Sequence, residues 1–233
     1  MEQLSLTELD ISSLYNATNW IYFDMNNKPL LSIEKIGLRV KESPDSFSMN
    51  LKKNQRVDFQ SQHENGYLYF LESGSVSIYR VSDDVLTINM KSPSIIGLTQ
   101  LRNYSKYHYL RCDGECMVWA IKKSDFERIL DEREYWGYAF DILSYIAIIY
   151  YERDIMISRS NAKMIVIDHL RQLWKLTQVE GEVHSIYKFI LSRNNISRSA
   201  VHKVISELSH AGSIEVHRGK LVNLSMDEMP LTP

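Results

Sequence analysis

Near the end of the chain, Ser197-Arg198-Ser199-Ala200-Val201-His202-Lys203-Val204-Ile205-Ser206-Glu207-Leu208 gathers hydroxyls, an imidazole and two cations at helical spacing. Val201, Val204, Ile205 and Leu208 recur at i, i+3, i+4 and i+7 and form one apolar stripe. Ser199, His202, Lys203 and Ser206 therefore face the other way. Such side chains can enter the major groove of DNA, with Arg198 and Lys203 reaching guanine edges or phosphates and Ser199 and Ser206 bonding at close range. Ser197 is an N-cap residue type, and Gly212 stands where a left-handed residue ends a helix. Downstream, Ile214 and Val216 alternate with polar residues, Arg218-Gly219 supplies a tight turn, and Val222 and Leu224 alternate back. The spacing predicts a hairpin wing that offers His217, Arg218 and Lys220 to phosphates.

Taken alone, the Ser197–Leu208 helix also reads as an amphipathic surface helix with a solvated polar face. Its neighbours weigh against that reading. Ile186, Phe189 and Ile190 make a second short stripe, and Arg193-Asn194-Asn195 is a polar break of turn-forming residues before the Ser197 cap. The order is helix, turn, helix, wing, and the expected partner is double-stranded DNA.

The rest of the chain must position this element. Tyr67-Leu68-Tyr69-Phe70-Leu71-Glu72-Ser73-Gly74-Ser75-Val76-Ser77-Ile78-Tyr79 reads as two β-rich runs about Glu-Ser-Gly-Ser, a hairpin. Val85–Met90 and Met117–Ile121 continue the pattern, which predicts a β-barrel or sandwich. Lys123–Leu130 reads as a short helix with Ser124 as its cap. From Glu132 to Ser158 the chain lacks proline and reads as one long helix. Trp136, Phe140, Leu143, Ala147 and Tyr150 keep an alternating four-and-three spacing beside a second strip of Ile142, Ile146 and Ile149. Two apolar strips need two covering surfaces. One can be the β-domain and the other the same helix of a second copy, so a homodimer is expected, with burial between two domains of one chain as the other reading.

The 233 residues suit two modest domains, and 44% hydrophobic with 24% charged is an ordinary globular composition. The expected division is an N-terminal extension (1–45), a β-domain (46–131), a dimerisation helix (132–160) and a winged domain (161–233). Leu4, Leu6, Leu9, Ile11 and Leu14, then Trp20–Phe23, suggest that the extension is ordered. No stretch has membrane-spanning length and the first residues lack a secretory pattern, so no membrane partner and a cytoplasmic location are expected. The net charge of −2 is uneven: residues 161–233 carry nine Lys/Arg against seven Asp/Glu, and residues 1–160 carry eighteen against twenty-two. The modest basic excess lies with the helix-turn-helix and predicts salt-dependent DNA binding.

The order of a β-domain with Leu68–Val76, a long helix and Ile196–Val201 resembles the Crp/Fnr superfamily of bacterial transcription regulators over roughly residues 45–225. The C-terminal Ser197-Arg198-Ser199 and Arg218-Gly219-Lys220-Leu221 are most similar to the enterobacterial IprA-type regulators, named for inhibition of hydrogen peroxide resistance. The resemblance implies a fold of class α+β, with a cyclic-nucleotide-binding-like β-barrel (jelly roll), a central dimerisation helix and a C-terminal winged helix-turn-helix. It implies base-edge and phosphate contact by Arg198, Ser199 and Lys203 on a two-fold symmetric site, a role in oxidative stress, and RNA polymerase as a further partner. Cyclic-nucleotide-binding members carry Gly-Glu, a short helix, then Arg-Ser. In the corresponding run, Leu98 stands at the Glu position and Lys106-Tyr107 at that of Arg-Ser. Without the bidentate arginine a buried cyclic phosphate loses a large charge-assisted attraction, so no cyclic-nucleotide response is expected. Arg102 and Lys106 then read as solvated loop charges.

Cys112-Asp113-Gly114-Glu115-Cys116 brackets a turn that could pair two thiols as a redox switch. Asp113 and Glu115 would raise the thiol pKa values, which favours structural thiols. His108 with the two cysteines lacks a fourth ligand, so no metal is expected, and no other cofactor. No phosphate loop, His-Glu-x-x-His or nucleophile elbow occurs, so no catalytic residues are assigned and the chain is not expected to be an enzyme. The alternative function is a sensor module whose β-domain binds another small molecule or a partner protein, with DNA contact secondary.

Overall fold

Alternating apolar residues in the first half of the chain build two four-stranded antiparallel sheets. The structure, a computed structural model, describes residues 28–59, 66–102, 107–158, 161–181 and 184–225. The apolar residues expected to order the first 23 positions lie outside these. Helix α1 (Leu30–Glu42) leads into β1 (Ser46–Leu51), β2 (Arg56–Asp58), β3 (Tyr67–Ser73), β4 (Ser75–Arg80), β5 (Leu86–Lys91), β6 (Ser94–Ile96), β7 (His108–Cys112) and β8 (Cys116–Lys122). The strand orders are β1-β8-β3-β6 and β2-β7-β4-β5, so of the barrel or sandwich expected, the described residues form the sandwich, with no closed barrel among them.

The expected hairpin at Gly74 does not form. β3 and β4 follow one another directly, yet β3 pairs with β8, setting Phe70 opposite Trp119, and β4 pairs with β7, setting Ile78 opposite Leu110. Tyr67–Tyr79 is therefore a corner at which the chain leaves one sheet for the other. Gly74 permits it: its φ is +92°, and a Cβ there would lie 2.5 Å from the backbone oxygen of Glu115. Leu68, Tyr69, Phe70 and Leu71 are all buried, so β3 is covered on both faces. Helix α1 covers Phe70, approaching so closely that a Cβ on Gly37 would meet the ring at 2.5 Å.

The chain then forms α2 (Lys123–Glu132) and α3 (Trp136–Ile157), not one helix from Glu132. The break is residues 133–135, where Glu134 takes a φ of +55° and the Tyr135 amide bonds the Leu130 carbonyl at 2.8 Å. Lys122, not Ser124, occupies the N-cap position of α2, and no side chain caps it. Along α3, Ala139, Ile142, Ile146 and Ile149 are buried. Ser32 of α1 donates to Asp141 at 2.7 Å and helps seat α3 beside α1. On the opposite face Phe140 is 70% exposed, Ile148 57% and Tyr151 66%.

Five further elements follow: α4 (Ala162–Glu180), α5 (Ile186–Arg193), α6 (Arg198–His210), β9 (Ile214–His217) and β10 (Lys220–Leu224). Asn161 caps α4 by accepting from the Lys163 amide at 2.8 Å, and Gly181 ends it at a φ of +69°. Val166, Ile167, Leu170 and Leu173 of α4 are buried, as are Ile186 and Phe189 of α5, Val201, Ile205 and Leu208 of α6, and Ile214, Leu221 and Leu224 of the hairpin. The described residues form two compact units, one running through Ser158 and including Leu191–Ile196, the other holding the rest of the C-terminal part. Among the described residues no helix is long and apolar enough to cross a membrane.

Candidate nucleic-acid interface

The polar face of α6 is built by local sequence at both ends. Ser197 sits in extended backbone, and its hydroxyl accepts from the Ala200 amide at 3.2 Å, the N-cap bond its residue type predicts. At the other end the Ser213 amide reaches the Leu208 carbonyl at 3.0 Å and the Gly212 amide reaches Ser209 at 3.1 Å. With Gly212 at a φ of +75°, this is a Schellman motif. The expected stripe of Val201, Val204, Ile205 and Leu208 is buried, and Arg198, Ser199, His202 and Lys203 are exposed.

The two remaining serines are more committed than their spacing suggests. Beyond its capping bond, the Ser197 hydroxyl lies 3.1 Å from that of Ser199. Ser206 is half-buried, and its hydroxyl lies 3.3 Å from Nδ1 of His210.

The wing turns through Arg218 and Gly219, whose φ angles of +50° and +74° fit a two-residue type I′ hairpin. His217, Arg218 and Lys220 are all exposed there. The Gly219 carbonyl also accepts from the Ile186 amide at 3.0 Å, tying the wing turn to the start of α5. One detail of the return strand differs from simple alternation. A register shift between Leu221 and Asn223 leaves Val222 exposed and buries Leu221 with Leu224.

Sequence reasoning missed Tyr187. It lies on α5, and its hydroxyl is 2.9 Å from Nδ1 of His202. The Arg198 guanidinium carbon sits 5.1 Å from the centre of the same ring. A tyrosine two residues before the buried Phe189 was the available signal, but its partners come from another helix.

Residues 162–231 match the family described as winged helix-turn-helix DNA binding. The inhibitor of hydrogen peroxide resistance from Escherichia coli (strain K12) is 24% identical over 200 residues, covering 85% of this chain and 95% of that protein. Among solved structures, the c-di-GMP responsive global regulator CLP of Xanthomonas campestris has a TM-score of 0.64 at 17% identity, over 84% of this chain and 99% of CLP. A transcriptional regulator of the crp/fnr family from Eubacterium rectale has a TM-score of 0.61 at 15% identity, over 87% and 96%. The fold is that of the Crp/Fnr regulators. Its C-terminal part is a winged helix-turn-helix DNA-binding domain.

In Crp/Fnr terms α3 is the central helix, and four of its five expected interface residues are turned at least partly outward. Phe140 and Ala147 are exposed, Leu143 is half-exposed, and Trp136 stands at the edge with its indole N–H donating to Asp131 at 2.6 Å. Tyr150 departs from this set. It lines a pocket of the β-domain and its ring centre lies 6.3 Å from that of His108. Ile148 and Tyr151 continue the outward strip in its place.

That β-domain pocket is walled by Ile78, Ile88, Met90, Ile96, Leu98 and Ile146, with Gln100 and His108 as polar members. Burial, together with the Arg80 and Arg153 charges, holds the His108 imidazole below its ordinary pKa. Leu98 is buried in this wall. Arg102 points elsewhere, pairing with Glu127 at 3.2 Å and lying over the Trp136 ring at 5.1 Å. Lys106 falls outside the described residues.

Cys112 and Cys116 are both buried and free. Burial first, then hydrogen bonding to Cys116, pushes the Cys112 thiol up to about 12. Cys116 donates to the Ser75 carbonyl at 3.1 Å. At neutral pH Cys112 therefore carries much less thiolate than an ordinary cysteine, so alkylation should be slowed by more than about tenfold. Timed iodoacetamide labelling followed by mass spectrometry checks this. Cys112 in the folded protein should stay unlabelled while the urea-unfolded chain reacts, and equal rates would refute the assignment.

Proposed function

We propose that the chain is a homodimeric, sequence-specific DNA-binding transcription regulator that acts in the cytoplasm without a cyclic nucleotide. The observation that carries this reading is the exposed row Arg198, Ser199, His202 and Lys203 on a helix closed by a serine cap and a Schellman motif. It lies inside a segment that matches a DNA-binding family. Arg198 and Lys203 supply charge and long reach for guanine edges and phosphates, and Ser199 and His202 supply short hydrogen bonds. Ser197 and Ser206 flank them, while His217, Arg218 and Lys220 on the wing grip the backbone.

The occupant of the outward strip on α3 is the same strip of a second copy. Phe140, Ile148 and Tyr151 form a run of large exposed apolar side chains along a helix whose other face is already buried. A dimer doubles the winged domain and reads a two-fold symmetric operator with half-sites about one helical turn apart. Buried Leu98 supports independence from cyclic nucleotide, because an aliphatic side chain offers no acceptor to a ribose hydroxyl. The similarity to an inhibitor of hydrogen peroxide resistance supports a place in the oxidative-stress response.

Genome-wide DNA selection with the purified protein at near-physiological salt tests the proposal, repeated with cyclic AMP and after peroxide treatment. The expected result is a two-fold symmetric motif that cyclic AMP leaves unchanged. Enrichment of no motif would sink the proposal, and a motif that appears only with cyclic AMP would sink its ligand-independent part.

A further inference from the structure

Among the side chains that could touch a base, His202 stands apart because a residue from a different helix already holds one of its ring nitrogens. Tyr187 approaches Nδ1 with its hydroxyl at 2.9 Å, and the two rings lie 6.4 Å apart at an interplanar angle of 26°. Arg198, one turn before His202 on α6, lies over the other part of the same tyrosine. The base of this bracket is itself held: Ile186, the residue before Tyr187, bonds the wing turn through Gly219.

We propose that Tyr187 is a specificity-determining residue that fixes the tautomer of His202 and positions Arg198, so that the helix presents a set hydrogen-bonding pattern to the bases. This rests on the DNA-binding reading and names a residue outside the contact set. A neutral imidazole has one donor nitrogen and one acceptor nitrogen, and whichever bond one of them makes decides the state of the other. A phenol is a better donor than acceptor and an unprotonated ring nitrogen a good acceptor, so in this assignment the Tyr187 hydroxyl donates to Nδ1 and the proton stays on Nε2. His202 then offers a donor to the groove. A donor there suits the N7 and O6 acceptors of guanine, N7 of adenine or O4 of thymine, and opposes the exocyclic amine of cytosine.

The ring and the hydroxyl of Tyr187 have separate jobs, which makes the idea separable by substitution. Tyr187→Phe keeps the surface beneath Arg198 and removes the bond to His202. Tyr187→Leu removes both. Imidazole nitrogen spectra of the free protein should show His202 protonated at Nε2 in the wild type and as a tautomer mixture in Tyr187→Phe.

In DNA selection, Tyr187→Phe and His202→Ala should lose preference at one and the same position of each half-site, by about tenfold or less, with other positions intact. Tyr187→Leu should also weaken the position read by Arg198. A Tyr187→Phe motif identical to the wild-type motif would overturn this inference alone. So would a uniform loss across all positions accompanied by a lowered melting temperature, since that is the signature of a merely structural role. A wild-type protein that selects no motif would overturn the DNA-binding reading, and this inference with it.

Discussion

Replacing Arg198 and Lys203 together by alanine is expected to lower affinity for the selected operator by roughly two to four orders of magnitude, each lost contact costing about 1–3 kcal/mol. Both side chains are exposed on α6, and neither belongs to the buried stripe that holds the helix in place. Thermal unfolding should therefore be close to wild type, which separates loss of contact from loss of fold. The salt dependence should also become shallower, because each cation that leaves a phosphate releases one counterion fewer. Fluorescence anisotropy on labelled operator across a salt series measures both effects. Operator affinity within about threefold of wild type would remove α6 from the role of recognition helix.

The second large effect concerns α3. Introducing Phe140→Glu with Tyr151→Glu should convert the protein to a monomer and weaken operator binding by about 100-fold or more, because each half-site must then be bound without the effective concentration a partner supplies. Both residues are more than half exposed in the single chain, so the charges cost little to the isolated fold. Facing a second copy they would be buried as like charges, which an apolar interface does not accommodate. Sedimentation velocity reads the mass and anisotropy reads the binding. A dimer that survives both substitutions would mean that the exposed strip of α3 is not the interface. Tyr150→Glu is the informative contrast: Tyr150 lines the β-domain pocket, and that change should lower the melting temperature rather than the mass.

How much of this fold is legible in the sequence depends on the range of the interactions involved. Helix α6 was legible because its signals act within one turn of it: Ser197 at the cap, the four apolar residues at helical spacing, and Gly212 at the close. The wing was legible for the same reason, since a two-residue turn with a glycine at a left-handed position is specified by adjacent residues. The absence of a glutamate at position 98 was also plain, once the resemblance to Crp/Fnr regulators said where to look.

What sequence alone determined about this protein, then, was its winged helix-turn-helix, the β character of its first half and the two-stripe helix between them. All three rest on periodicity and capping, which each segment carries for itself. Tertiary structure decided what depends on partners distant in the chain. Gly74 fits a tight turn within a hairpin and a corner between sheets equally well, and the pairing of β3 with β8 and of β4 with β7 chose the corner. Adjacent Tyr150 and Tyr151 are chemically alike, yet packing turned the first toward His108 and left the second in solvent. The 133–135 break contains neither proline nor glycine, so no local residue announced it. Tyr187 meets His202 fifteen positions away because two helices cross there, and a contact made by crossing elements leaves no periodic trace in either one.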